Sequence, residues 1–302
     1  MKAISILLST YNGEKYIKEQ LDSLFNQTYK NFEVIVRDDN SKDNSLNILK
    51  SYNVEIINST QNVGASKSFS ILLEHALANS SSDYFMFCDQ DDIWDKQKIE
   101  NSVNLIQNME KEYGNIPLLV HSDLEIVDEM LSTINNSFWQ YENINPSYNN
   151  FEKLLMQNTV TGCTMMINKE LAKLSLNIPK NAIMHDWWIA LIASCFGKID
   201  FINESTIKYR QHEKNEIGAN KFSIKYVFKK IFNSKNLIEK NISQANSFLL
   251  LYEDMLDSNK IRILQEFISI KNKNFFEKRF ILIKNKLFKQ GITRNIGLFI
   301  KI

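Results

Sequence analysis

Apolar positions along the first third of this chain recur in two alternating rhythms. Ala3-Ile4-Ser5-Ile6-Leu7-Leu8-Ser9 is a short, nearly continuous apolar run, as expected of a buried strand. It ends at Thr10-Tyr11-Asn12-Gly13. The next stretch places Tyr16, Ile17, Leu21, Leu24 and Phe25 at helical spacing, which predicts a helix over 14–26. The rhythm then repeats. Strands are predicted over 32–37, 54–57 and 84–88, with helices near 46–49, 65–78 and 96–113. Ser41 and Asp43 are the expected caps of the second helix. This β-α-β-α-β-α-β alternation argues for a mostly parallel sheet with helices on both faces.

The pattern then loosens. Strands are expected at 118–122, 164–167, 199–202 and 206–209, and a helix over 183–196. The Asn-rich stretch 132–150 reads as loop. From about Phe222 the period is helical to the end. Two regions follow from this: an α/β body over 1–220 and a helical segment over 221–302.

Charge sharpens that division. The net charge of +1 conceals an asymmetry. Residues 221–302 hold 17 Lys and Arg against 6 Asp and Glu, leaving 19 against 29 in residues 1–220. A basic helical tail on an acidic body suits an anionic surface. Its apolar and basic groups interleave: Phe222, Ile224, Tyr226, Val227 and Phe228 with Lys221, Lys225, Lys229 and Lys230, and later Phe275, Phe276, Phe280, Ile281 and Leu282 with Lys278, Arg279, Lys284 and Lys286. A membrane surface, a second copy of the chain in a homodimer, or the body itself are the candidate partners. Nucleic acid is disfavoured by the acidic body. Three cysteines without ligand spacing give no zinc motif and fit a reducing compartment. No secretory leader and no apolar run of about 18 residues is evident. The expected location is cytoplasmic, with peripheral contact at the inner face of the plasma membrane.

The chemistry concentrates where strands end. Asp89-Gln90-Asp91-Asp92 follows the apolar run 84–88 and puts hard carboxylates at the edge where open α/β sheets bind ligands. Such oxygens suit Mg²⁺ or Mn²⁺, which commonly bind through a few carboxylates and substrate phosphates. An EF-hand fails here, because Trp94 stands where that loop needs glycine. Neither a G-x-G-x-x-G after the first strand nor a P-loop is present, which argues against dinucleotide and P-loop readings.

Taken together, the segments 5–13, Val36-Arg37-Asp38-Asp39-Asn40-Ser41-Lys42-Asp43, Asn62-Val63-Gly64 and Asp89-Gln90-Asp91 resemble the family 2 glycosyltransferases, which have the GT-A fold. His185-Asp186-Trp187-Trp188 and Tyr209-Arg210-Gln211-His212, with Asn215 and Gly218, resemble the rhamnosyltransferase-type branch. The resemblance implies an inverting, metal-dependent transfer from a nucleotide-diphosphate sugar, dTDP-rhamnose ahead of a UDP-hexose. The implied acceptor is a growing surface polysaccharide on a lipid carrier. Asp38 would accept the base N3–H, with Thr10, Tyr11 and Asn12 around the base. Asp39, Asn62 and Asp89 would complete the nucleotide site. Asp91 and His212 would hold Mn²⁺ or Mg²⁺, and Arg210 would fork onto phosphate.

Asp186 is the candidate general base, since inversion needs a carboxylate beside the acceptor hydroxyl. Asp92 is its rival, and a dipole-favoured acid at a helix start is the alternative for Asp186. His121, Asp123, Trp187, Trp188 and the turn 161–163 are candidates for the acceptor side. For Arg37 and Lys67 a solvated face is the simpler expectation. No Gln-x-x-Arg-Trp element is present, which argues against a processive synthase. The rival functions are a nucleotidyltransferase and a degenerate nucleotide- or carbohydrate-binding module.

Overall fold

A computed structural model describes residues 2–212, 218–219 and 238–302. Asn215 and the apolar and basic residues singled out between 221 and 230 lie outside the described residues.

The first half follows the expected alternation. Strands β1 (Ile4–Thr10), β2 (Phe32–Asp38), β3 (Glu55–Asn58) and β4 (Tyr84–Cys88) are joined by helices α1 (Ile17–Phe25), α2 (Ser45–Leu49) and α3 (Ala65–Asn79). They pair in parallel in the order β3-β2-β1-β4. The near-continuous apolar strand sequences have a physical cause: both faces are covered. Ile6 and Leu8 join one buried cluster with Ile17 and Leu21 of α1, whereas Leu7 joins another with Phe69 and Leu72 of α3.

Beyond β4 the chain adds β5 (Ile93–Trp94), α4 (Lys98–Tyr113), β6 (Leu118–Val127), β7 (Thr133–Asn135), α5 (Phe138–Glu142), α6 (Phe151–Met156), β8 (Met166–Asn168), α7 (Lys169–Leu174), α8 (His185–Phe196) and β9 (Lys198–Arg210). The sheet continues β4-β8-β6-β9-β5, with β7 on β6. β8 is antiparallel to both neighbours, and β6 and β9 are parallel.

Several expectations need correction. The stretch 132–150 is not all loop, because it contains β7 and α5. The two short strands near 199–209 are one strand whose pairing with β6 slips at Ser122/Asp123 and Asp123/Glu125. Ser41 does not cap α2. Its hydroxyl serves Asp38, while Asp43 accepts from the Ser45 N–H at 3.0 Å.

Helices Glu239–Tyr252, Ser258–Ser269, Phe275–Lys284 and Ile292–Lys301 complete the described chain. Phe248, Leu264, Leu282 and Leu298 belong to the same buried cluster as Leu7 and Trp188, so these helices share the core of the α/β body. Gly197, between α8 and β9, allows a close crossing. A Cβ there would stand 1.8 Å from the Pro117 carbonyl oxygen.

Candidate active site

The carboxyl ends of β1, β2 and β4 lie side by side, because Thr10 pairs with Asp38 and Leu8 with Cys88. The polar groups that follow these strands therefore converge on one edge of the sheet. Gln90 clasps that edge. Its Oε1 accepts from the Thr10 hydroxyl at 2.7 Å and the Tyr11 N–H at 2.8 Å. Gly13 leaves room for the clasp, since a Cβ would sit 2.5 Å from that oxygen. Asp38 is buried and accepts from the Ser41 hydroxyl and from its N–H at 3.1 Å. Each carboxylate oxygen retains a lone pair for a ligand donor. Tyr11 is 45% exposed, the open side of this corner.

Asp39 faces a different set of donors. It pairs with buried Arg37 and accepts from the Val63 N–H at 2.9 Å and the Gly64 N–H at 2.9 Å. Asp39 thereby ties the end of β2 to the start of α3. Arg37 is a buried counter-ion that also donates to Ser59 at 2.7 Å, which corrects the solvated-face expectation. Lys67 is exposed as expected. The Asn62 side chain accepts from Gly64 N–H at 3.0 Å.

The second cluster lies at the end of β4. Asp91 Oδ2 is 2.8 Å from His212 Nε2, and the His212 ring stacks on Tyr16 with centroids 4.9 Å apart. Two neighbouring ligands on an octahedral ion, each at roughly 2.1 Å, are about 3 Å apart, so this pair has the spacing of one octahedral edge. Asp89, Asp92 and Cys163 form a deeper group, with ligand atoms within 4.8 Å of one another. Burial, reinforced by Asp91 and Asp89, holds the Asp92 carboxyl well above the usual range. Burial likewise pushes the Cys163 thiol up. The Cys163 thiol is a soft donor, so this deeper group suits a hard cation less well than the Asp91 and His212 pair. Asp92 is wholly buried whereas Asp186 is partly exposed, which favours Asp186 over its rival as base.

Arg210 holds this loop from behind. Its Nε donates to the Asp91 carbonyl at 2.9 Å and its Nη1 to the Glu129 carbonyl at 2.7 Å, and it pairs with Glu19. Its backbone N–H donates to Asp92 at 3.1 Å. The expected phosphate fork is corrected: the guanidinium is buried and committed to protein acceptors.

Asp186 opens α8. It accepts from the Gly162 N–H at 3.0 Å and from the Trp187 N–H. The turn 161–163 thus reaches Asp186 through Gly162 and the β4 acids through Cys163. Burial lifts the Asp186 carboxyl to about 7. Gly162 has no room for a side chain, because a Cβ would lie 2.9 Å from His185 Nε2.

Three acceptor-side expectations are corrected. Trp188 is fully buried against Phe248 and Tyr252. His121 is fully buried between Trp139 and Phe201, and burial brings its pKa down to about 3. Asp123 is buried under the start of α5, accepting from the Ser137 hydroxyl and the Trp139 N–H at 3.1 Å. Trp187 is half-buried and donates to the Leu154 carbonyl.

Residues 5–174 match the family model described as Glycosyl transferase family 2. The chain belongs to family 2 of the glycosyltransferases. The dTDP-rhamnosyl transferase RfbG of Shigella flexneri is 33% identical over 239 residues, covering 72% of this chain and 76% of that protein. An uncharacterized glycosyltransferase of Rickettsia typhi is 28% identical, covering 70% of this chain and 64% of its own length. Among solved structures, S. aureus TarS 1–349 in complex with UDP-GlcNAc matches with a TM-score of 0.57 at 16% identity, covering 94% of this chain and 89% of that one. The mannosyltransferase PcManGT of Pyrobaculum calidifontis, in complex with GDP-Man and Mn²⁺, matches with a TM-score of 0.54 at 14% identity, over 99% of this chain and 79% of that one. These likenesses place the glycosyltransferase in the GT-A fold. It is a sugar-transferring enzyme that resembles a rhamnosyltransferase.

Sequence reasoning overlooked several contributors to this glycosyltransferase's site. Tyr16 supports the His212 ring, and the Arg210 guanidinium lies over Tyr16, 4.7 Å from the tyrosine ring centroid. Lys98 is fully buried below the acids, with its ammonium 3.2 Å from the Thr164 carbonyl, and burial brings its pKa down to about 8. The only sequence signal for Lys98 was a basic residue among the apolar positions of a helix, and its lysine neighbours Lys96 and Lys111 hide that signal.

Proposed function

We propose that this glycosyltransferase moves one sugar, with inversion, from a nucleotide-diphosphate sugar to a saccharide acceptor on a lipid carrier, in a reaction dependent on Mn²⁺ or Mg²⁺. The donor is dTDP-rhamnose, with a UDP-hexose as the alternative. Similarity to a dTDP-rhamnosyl transferase over 72% of the chain supports the first choice.

The observation that carries this reading is the bridge 161–163. Gly162 holds Asp186, and the next residue, Cys163, lies within 4.8 Å of Asp89 and Asp92. An acid suited to proton abstraction is thereby linked to the end of β4, where Asp89 would face a diphosphate. Asp38, in its corner beside Tyr11, accepts the N3–H of thymine or uracil. Asp91 and His212 would hold the divalent ion, which supplies Lewis-acid stabilisation of the departing diphosphate. Asp186 takes the proton of the acceptor hydroxyl as its oxygen attacks the anomeric carbon. A pKa near 7 suits that task, because enough carboxylate is present near neutrality and the conjugate acid is still a useful proton sink. Arg210 and Gln90 keep the loop 89–92 in register with β1 and β9.

The test is release of nucleoside diphosphate from dTDP-rhamnose or UDP-glucose, with Mn²⁺ and an extract of lipid-linked saccharides. Wild-type release with one donor, lost in Asp186→Asn, supports the assignment. Equal release by the variant refutes the role of Asp186.

A further inference from the structure

The last two described helices carry apolar residues on the wrong side for a folded core. Helix Phe275–Lys284 buries Ile281 and Leu282. It also presents Phe276, Phe280 and Ile283, which are 80%, 64% and 56% exposed. Their spacing of four and three residues puts them on one stripe. Helix Ile292–Lys301 buries Gly297 and Leu298 while exposing Ile292, Ile296 and Ile300, again one stripe at intervals of four. The two helices are tied together. The Arg279 guanidinium lies over the Phe275 ring and donates to the Phe299 carbonyl. Phe288, between them, stacks on Phe299 with centroids 6.2 Å apart.

Charge selects the occupant. Residues 271–302 hold nine Lys and Arg and a single acid, Glu277. Residues 1–220 are acidic, with 29 Asp and Glu against 19 Lys and Arg. A second copy of this chain would bring another basic face against the first, and like charge opposes that pairing. An anionic bilayer complements it. Aromatic and Ile side chains enter the headgroup boundary, while Lys stems reach outward along it. An acidic body is repelled by the same surface, which sets the orientation.

We infer that helices Phe275–Lys284 and Ile292–Lys301 form a docking face for an anionic membrane, entered by Phe276, Phe280, Ile292 and Ile296. Among the described residues no helix is long and apolar enough to cross a bilayer. This face is independent of the donor assignment. It would hold the enzyme at a lipid surface whichever nucleotide sugar is used.

The experiment is vesicle co-sedimentation of the full chain with phosphatidylcholine alone or with about one third phosphatidylglycerol. Two variants accompany the wild type: Phe276→Ser/Phe280→Ser/Ile296→Ser, and Lys271→Glu/Lys278→Glu/Lys301→Glu. These side chains are outside the catalytic edge, so nucleotide-dependent thermal shifts of both variants should match the wild type and report that the fold is intact. The wild type should bind anionic vesicles at least tenfold more tightly than neutral ones. Each variant should lose at least tenfold, and the wild-type preference should shrink at high salt. Equal binding to both vesicles, or variants that bind like the wild type, would overturn the inference. So would a wild-type dimer in light scattering that the apolar variant dissolves without any vesicle binding, which would assign the face to a second copy. Loss of nucleotide shifts with retained vesicle binding would instead count against the donor reading alone.

Discussion

Replacing Asp186 with Asn should improve stability at high pH relative to low pH and cut turnover, and the two effects have one cause. Burial lifts the Asp186 carboxyl from 3.8 to about 7. The folded state therefore binds this proton more tightly than the unfolded chain does. Stability from this group is greatest below about pH 4 and falls as pH rises through the window between the two values. Linkage across that window gives a wild-type loss of about 2 kcal/mol between pH 5.5 and pH 8.5. Asn does not ionise, so it escapes that loss. It has its own cost, because its amide must face either the Gly162 or the Trp187 N–H, which Asp186 now accepts. An unmade bond of that kind costs roughly 1–3 kcal/mol, but equally at every pH. The decisive quantity is therefore the change in the gap between variant and wild type. Thermal unfolding at both pH values should show the gap moving by about 2 kcal/mol, or roughly 4 °C, in favour of Asn as pH rises. Turnover of Asp186→Asn should fall by about 10²–10⁴-fold, and wild-type turnover should rise with pH to a plateau above about pH 7. A gap that stays constant with pH would refute the perturbed carboxyl, and a variant with normal turnover would refute the base.

Other positions give independent checks. Trp188→Ala should cost about 3–5 kcal/mol in urea unfolding, because it empties core space against Phe248 and Tyr252; a loss confined to acceptor affinity would restore Trp188 to the site. His121→Leu should remove an acid liability, since a His with a pKa near 3 when folded loses stability as pH falls below about 6.5. The wild type should be roughly 2 kcal/mol worse off at pH 5 than at pH 8 from this group, a difference absent in the variant. Arg210→Ala should lower stability by about 3 kcal/mol by removing the side-chain donors of the Asp91 and Glu129 carbonyls and the partner of Glu19, while the backbone N–H to Asp92 remains. Isothermal titration should also show weaker Mn²⁺ binding in Arg210→Ala; unchanged stability would mean the loop 89–92 stands without it.

The first four strands were legible because burial on both faces leaves a plain apolar signature, and the helices between them carry a clear period. The carboxyl edge was legible for the same reason, since polar clusters mark where strands stop. What escaped was direction and depth. Nothing local to Met166–Asn168 says that this strand inserts antiparallel between β4 and β6, because that is decided by partners far away in sequence. His121 and Asp123 read as site residues because a polar side chain in a strand is unusual. Here His121 is walled in by Trp139 and Phe201, and Asp123 accepts from Ser137 and Trp139 at the start of a helix that the Asn-rich composition of 132–150 concealed. Arg37 was read as solvated because arginine usually is, and Arg210 as a phosphate fork because it follows a strand in a polar segment; each is instead a buried strut for an acidic loop. His185 shows the opposite limit. It adjoins the candidate base, yet it is packed between Phe69 and Phe87 with neither ring nitrogen hydrogen-bonded among the described residues.

If Asp38 and the Asp91–His212 pair form one metal-dependent nucleotide site, nucleotide and metal should stabilise the fold together. Thermal stability of wild type and Asp91→Ala is measured against dTDP, UDP, GDP and CDP, each with and without Mn²⁺. Ligand at a hundredfold excess over Kd stabilises by about 2.7 kcal/mol. A Mn²⁺-dependent rise in Tm with dTDP or UDP alone, lost in Asp91→Ala, is expected. No shift with any nucleotide, or an equal shift without metal and in the variant, would contradict it.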